Sequence, residues 1–275
     1  MAQEKQALIS TDGIGYFVTH ARSVDPSQST TTDPSHIHSD VEIYLKVSGD
    51  ISFLVRNAVY PISRGDVILT RAGEMHHCIY QSARMHDHFC LWLSDSEGGE
   101  LLSFLAESDI NYIHLPEEER EQLIHRFYRL HKMFEDKDRL GAGAEILGIL
   151  SVLRKGMREG SVGQKLAVPA GFQEILDHIQ ENCGEFANVS DLVERFFISP
   201  STMNRWFSQY LHMTPKGYLE SVKLSRAQRL LREGMSVTDV CFACGYCDSS
   251  HFIRAFKRKF SKTPGQFRGE ILKNT

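Results

Sequence analysis

The spacing of apolar and polar positions changes character along the chain. Between residues 8 and 95 apolar residues come in short runs, Ile51-Ser-Phe-Leu-Val, Asp66-Val-Ile-Leu and Phe89-Cys-Leu-Trp-Leu, separated by Gly, Asp and Pro. Runs of that length between turn residues predict short strands and a β-rich domain. On an extended strand Glu42, Tyr44 and Lys46 share one face, and Val41, Ile43 and Leu45 the other. Ser23 to Ser35, rich in Ser, Thr, Asp and Pro, predicts an exposed loop.

Beyond residue 97 the period becomes helical. Pro116-Glu-Glu-Glu is a helix start, with proline in the first turn and acids at the positive end of the dipole. Leu123, Phe127, Leu130 and Phe134 then form an apolar stripe, and Ile146, Leu150, Leu153 and Met157 form a second after a polar break. Such stripes either close the core of the first domain or pair with their copies in a second subunit; a homodimer is expected. Residues 159–170 are small and polar and mark a boundary. The expected organisation is 1–95 as a β domain, 96–165 as a helical linking and dimerising region, and 166–275 as an all-α domain, an α+β chain overall.

The last segment repeats itself at an offset of roughly 48 residues. Val189-Ser-Asp-Leu-Val, Ser199-Pro-Ser-Thr-Met-Asn-Arg-Trp-Phe and Thr214-Pro are matched by Val237-Thr-Asp-Val-Cys, Asp248-Ser-Ser-His-Phe-Ile-Arg-Ala-Phe and Thr263-Pro. Each unit predicts two short helices around a turn, a helix-turn-helix. In the first, Ser199 caps a helix whose Met203, Trp206 and Phe207 point inward, leaving Ser201, Thr202, Asn204, Arg205 and Ser208 outside. In the second, Phe252 and Phe256 anchor the helix while Ser249, Ser250, His251 and Arg254 face out, and Gly245 suits the tight turn before it. Small polar residues allow close approach to a major groove, Asn and Arg offer paired donors to base edges, and Lys257 and Arg258 suit phosphates. A helix from about Lys216 to Arg232 joins the units; at ~1.5 Å per residue it spans about 25 Å, which suits two recognition helices roughly one DNA turn, ~34 Å, apart.

Charge supports the same partition. The chain carries a net −4, yet from Arg195 onward 14 Lys and Arg stand against 5 Asp and Glu. A basic tail on an acidic body is the layout expected when only the tail meets a polyanion, here double-stranded DNA. No run of about 18 apolar residues predicts a membrane span, and Met1-Ala-Gln-Glu-Lys-Gln lacks the core of a signal peptide, so a cytoplasmic, nucleoid-associated chain is expected. Six cysteines are too few for a disulfide framework and are expected reduced. Cys241, Cys244 and Cys247 share a C-x-x-C-x-x-C spacing, but Cys241 and Cys244 fall where the helix needs small buried side chains, the reading preferred over a metal or redox centre.

Residues 172–268 resemble the AraC family of bacterial transcription regulators. The resemblance rests on Ser225-Arg-Ala-Gln-Arg-Leu-Leu, Val237-Thr-Asp-Val-Cys-Phe-Ala-Cys-Gly-Tyr, His251-Phe-Ile-Arg-Ala-Phe-Lys and Thr263-Pro-Gly-Gln-Phe-Arg. It implies DNA contacts from the outward residues of both recognition helices, with RNA polymerase as a further partner. The glycine usual before each Thr-Pro is His212 in one unit and Ser261 in the other.

His36-Ile-His38, Glu42 and Gly49, followed by Gly65, Arg71-Ala-Gly73-Glu-Met and His76, resemble the two motifs of a cupin jelly roll, with Arg71 where proline is usual. The resemblance implies that residues 8–95 form a sensor barrel, its pocket lined by His36, His38, Glu42, Tyr44, His76 and Trp92. The preferred reading is a pocket for a small effector, a carbohydrate, without cofactor. The alternative is a divalent metal held by His36, His38, Glu42 and His76, in a regulator or in an enzyme fused to the DNA-binding tail. His77, His86 and His88 are read as exposed. The chain is expected not to be an enzyme.

Overall fold

The computed structural model describes residues 9–11, 14–23, 40–82, 84–95, 100–106 and 108–271. Strands β1 (Ile9–Thr11), β2 (Ile14–Ser23), β3 (Val41–Ser48), β4 (Ile51–Val55), β5 (Ala58–Pro61), β6 (Val67–Thr70), β7 (His76–Tyr80) and β8 (His86–Asp95) follow one another, and β9 (Tyr112–Ile113) comes after helix α1 (Glu100–Ala106). They pair antiparallel into a six-stranded sheet, β1-β2-β8-β3-β6-β9, and a three-stranded sheet, β5-β4-β7.

The alternation of side chains along these strands feeds three different environments. Ile43, Leu45, Val67, Leu69, Phe89 and Leu91 leave the outer face of the large sheet and pack under α2 (Glu117–Glu135) and α3 (Arg139–Arg158). Tyr44, Ile68 and Cys90 turn inward to meet Ile51, Phe53, Val55 and Tyr60 from the small sheet, making the barrel interior. The small sheet has a second face, through Leu54, Val59 and Ile79, that joins the core of the C-terminal helices. One residue along β4 therefore separates the barrel from the all-α region.

Both helical stripes are consumed inside the chain. Leu123, Phe127 and Leu130 of α2 and Ile146, Leu150 and Leu153 of α3 are buried against the large sheet. Another surface of α3 remains, where Leu140 and Leu147, one heptad apart, are exposed.

The C-terminal region runs α4 (Ala170–Asn182), a 3-10 turn (Cys183–Glu185), α5 (Val189–Phe196), α6 (Pro200–Trp206) extended by a π-helical turn (Phe207–Leu211), α7 (Pro215–Arg232), α8 (Val237–Ala243), α9 (Ser249–Phe260) and α10 (Pro264–Ile271). It has two cores. Phe172, Ile175, Leu192, Met203, Phe207 and Tyr218 fill the first, and Leu231, Val240, Phe252 and Phe256 fill the second. Helix α7 supplies both, Val222 belonging to the first and Leu224 to the second.

Caps explain where these short helices begin. Asn188 and Asp191 form a capping box on α5, Ser199 accepts from Thr202 N at 3.1 Å, and Ser236 accepts from Asp239 N at 3.2 Å. The repeated Thr-Pro starts a helix rather than ending one: Thr214 caps α7 through Gly217 N at 3.1 Å, and Thr263 caps α10 through Gln266 N at 3.2 Å. The residues standing in for the usual glycine, His212 and Ser261, both take left-handed conformations, with φ of 50° and 60°.

Candidate nucleic-acid interface and effector pocket

Helices α6 and α9 present matching faces. Phe197 reverses the chain after α5 with φ 51°, and Gly245 makes the equivalent turn before α9 with φ 70°. Ser201, Asn204 and Arg205 are exposed on α6, as are Ser249, Ser250, His251, Arg254, Lys257 and Arg258 on α9. Among the described residues neither Arg205 nor Arg254 is tied to a carboxylate in an ion pair, so both guanidinium groups remain available.

Three residues carry local duties as well. Thr202 is half-buried and its hydroxyl accepts from Ser199 at 3.0 Å; the Asn204 amide donates to the Pro200 carbonyl at 2.9 Å. Arg258 is paired with Glu220 of α7 at 2.7 Å, which braces α9 against the joining helix. Asp248, at the start of α9, accepts from Ser250 N and His251 N at 2.9 and 3.0 Å, and these donors hold its carboxyl below the usual range. The cap thus fixes the backbone beneath Ser250 and His251.

In the barrel, Glu42, Tyr44 and Lys46 share the inward face of β3. Glu42 lies opposite Thr70 on one neighbouring strand and Trp92 on the other. Its carboxylate meets His76 Nε2 at 3.1 Å, while His76 Nδ1 bonds the Glu74 carbonyl at 2.9 Å. His76 and Glu42 are both almost fully buried. Trp92 is half-buried on the same face, its ring 5.5 Å from that of Phe17. His36 and His38 lie outside the described residues.

Exposure was the wrong expectation for the other histidines. His77 and His86 are buried, and His88 is half-buried on the barrel face. Tyr44 bonds His86 Nε2 at 2.6 Å and stacks on the His88 ring at 4.8 Å. Burial pushes His86 down to about 4 and His88 to about 3, so both stay neutral at pH 7. Burial likewise raises the Cys78 thiol to about 12. Period-two spacing could have revealed these residues, since His86, His88, Cys90 and Trp92 alternate along β8. Gly49 is required beside them: its φ is 107°, and a Cβ there would come within 2.9 Å of His86 Nδ1.

The polar interior is incompletely satisfied. Thr70 Oγ1 and His88 Nδ1 are buried with no hydrogen-bond partner among the described residues. Arg71, the departure from the cupin pattern, ties loops together. Its guanidinium donates to the Leu105 and Ile110 carbonyls and its backbone N–H to Glu74. Cys241 and Cys244 are buried and Cys247 is exposed. Among the described residues no group of three or more His, Cys, Asp or Glu is gathered as a metal ion would need.

Two family profiles match this chain. The one described as "AraC-like ligand binding domain" matches residues 21–150, and the one described as "Helix-turn-helix domain" matches residues 192–270. The chain belongs to the AraC family. It is similar to the HTH-type transcriptional activator RhaS of Pectobacterium carotovorum subsp. carotovorum, 26% identical over 278 residues, which covers 94% of this chain and 97% of the relative. It is also similar to RhaS of Citrobacter koseri, 26% identical over 265 residues, covering 90% and 91%. A crystal structure of ToxT from Vibrio cholerae O395 aligns over 93% of this chain and 99% of its own, with 11% identity and a TM-score of 0.40. This AraC-family member is a DNA-binding transcription regulator with a ligand-binding domain, and its domains and relatives are those of regulators rather than enzymes. Among the described residues no helix is long and apolar enough to cross a membrane.

Proposed function

We propose that this regulator reads two successive major-groove segments through α6 and α9, and that a carbohydrate bound in the barrel controls that reading. The division of labour follows the expected segments: 1–95 for the effector, 96–165 for dimerisation, 166–275 for DNA. Ser201, Asn204, Arg205, Ser249, Ser250, His251 and Arg254 face base edges, with Thr202 at the rim of that surface, and Lys257 and Arg258 address phosphates.

The observation that carries the effector reading is the set of buried, unpartnered polar atoms around the Glu42–His76 pair. Leaving such atoms dry costs roughly 1–3 kcal/mol each, and hydroxyl groups, which both donate and accept, suit Thr70 and His88 together. Trp92 offers a ring face beside them. A metal-assisted pocket would add His36 and His38 to Glu42 and His76; a bound divalent ion would there supply a positive charge for a ligand oxygen.

The small sheet supports a route from pocket to DNA. Phe53 lies inside the barrel and Leu54 against the all-α core. Tyr218 of α7 donates to the Arg56 carbonyl at 3.0 Å, and Asn57 to Asp177 of α4 at 2.6 Å. A ligand that shifts β4 or β7 moves the support of the first helix-turn-helix, biasing one of two arrangements of the dimer. The exposed Leu140 and Leu147 on α3 suit the second copy. Regulation of transcription brings RNA polymerase in as a partner, and the cytoplasm is the fitting compartment.

Calorimetric titration with a panel of monosaccharides, alongside small carboxylic acids and divalent ions, tests the effector reading. A sugar should bind, and Glu42→Gln should weaken it at least tenfold, about the loss of one charged hydrogen bond. Binding confined to metal ions would favour the metal-assisted reading instead.

A further inference from the structure

A buried charge lies where the two helix-turn-helix units meet. Lys223 lies on α7 between Val222 of the first core and Leu224 of the second, and is only 4% exposed. Its ammonium donates to the Gly245 carbonyl at 2.9 Å, lies 3.5 Å from the Ala187 carbonyl, and sits 5.1 Å from the centre of the Tyr246 ring.

Each of these partners belongs to the frame of one unit. Ala187 precedes Asn188, the cap of α5, and its N–H is fixed by Asp191 at 2.6 Å. Gly245 and Tyr246 form the turn before α9, and the Tyr246 ring packs at 5.6 Å on His251 and 5.2 Å on Phe252. The backbones touch at the same place. A Cβ on Gly184 would lie 2.3 Å from the Ala243 carbonyl oxygen, and one on Gly245 would lie 2.6 Å from that of Gly184. Lys223 lines a cleft of about 590 Å³ with residues 187–190 on one wall and Gly245–Asp248 and His251 on the other.

Packing alone does not call for a lysine here. Burying an ammonium costs several kcal/mol before its partners compensate, and burial pushes the Lys223 pKa down. A methionine would fill the space without that cost. What it could not do is bond carbonyls from both units at once.

We infer that Lys223 is a positioning residue for DNA recognition: it ties the entry of α5 to the turn before α9 and so sets the spacing at which the two recognition helices address DNA. The inference rests on the reading that α6 and α9 both contact the duplex. It concerns specificity for the distance between two half-elements, and not for the bases within either.

The test uses the full-length protein and a duplex selected by it from a random pool, compared with the same duplex carrying one extra base pair between the two protected segments. For the unaltered protein the insertion should weaken binding about tenfold or more, the scale of one disrupted base contact. In Lys223→Met the insertion penalty should shrink to less than about threefold, while Lys223→Arg, which keeps the donors, should restore most of it. A methionine variant that binds more weakly yet retains the full penalty would overturn the inference, because Lys223 would then only stabilise the fold. If circular dichroism shows that variant unfolded, Tyr246→Leu, which cuts the link to α9, is measured against the same two outcomes. An unaltered protein that selects no duplex would refute the DNA reading itself, a separate result.

Discussion

Several single residues accept conformations that their side chains disfavour. His212 and Ser261 hold the left-handed region at equivalent points of the two units, where a non-glycine residue loses roughly 1–2 kcal/mol. Ser261→Gly should therefore raise stability, by about 1 kcal/mol after the greater freedom of the unfolded glycine is subtracted. Urea denaturation would show it, and an unchanged midpoint would mean that the Ser261 side chain contributes something compensating. The histidines of the barrel carry a different signature. His86 and His88 charge near 6.5 in an unfolded chain but only near 4 and 3 in the barrel. The stability due to their neutrality is complete above pH 6.5 and is lost as the pH falls towards 4. Thermal midpoints should drop across that window, and His88→Leu should flatten the slope; an equal slope in the variant would count against burial as the cause.

At the scale of elements, much was legible because local chemistry dictated it. Ser199 announced a helix start through its hydroxyl, and the inward Met203 and Phe207 were set by helical period; that the Thr-Pro pairs open α7 and α10 instead of closing the units before them emerged only from the structure. The face shared by Glu42, Tyr44 and Lys46 followed from strand period alone. What stayed hidden depends on neighbours distant in sequence. Nothing near His86 signals that Tyr44 will bond it, or that Leu54 and Ile79 will leave the barrel to join Phe172 and Leu176. The two helical stripes left open whether a second subunit was needed; the large sheet covers both. Dimerisation should therefore depend on the opposite, exposed surface of α3. Leu147→Glu should shift the chain to monomer in sedimentation without lowering its thermal midpoint by more than about 0.5 kcal/mol equivalent, the ordinary effect of a surface change. An intact dimer would move the interface elsewhere.

At the scale of the whole molecule, charge and architecture agree. From Arg195 onward 14 Lys and Arg stand against 5 Asp and Glu, and the remainder of the chain, with the barrel and its covering helices, is acidic; that layout suits a duplex approaching the C-terminal helices. The barrel is joined to that tail through one face of a three-stranded sheet, and the joining helix α7 contributes to both helix-turn-helix cores. On the proposed function, these connections give a bound ligand a physical means to alter how α6 and α9 are presented. The central claim is that α6 and α9 read separate, successive groove segments. Its most direct measurement is base-by-base preference, determined by selection from randomised duplexes, for the unaltered chain, Arg205→Ala and Arg254→Ala. Each variant should lose preference at a different position, the two lying roughly one helical turn apart, at a cost of about 1–3 kcal/mol on the selected site. Two variants that weaken binding equally on selected and random DNA, with every base preference intact, would contradict it.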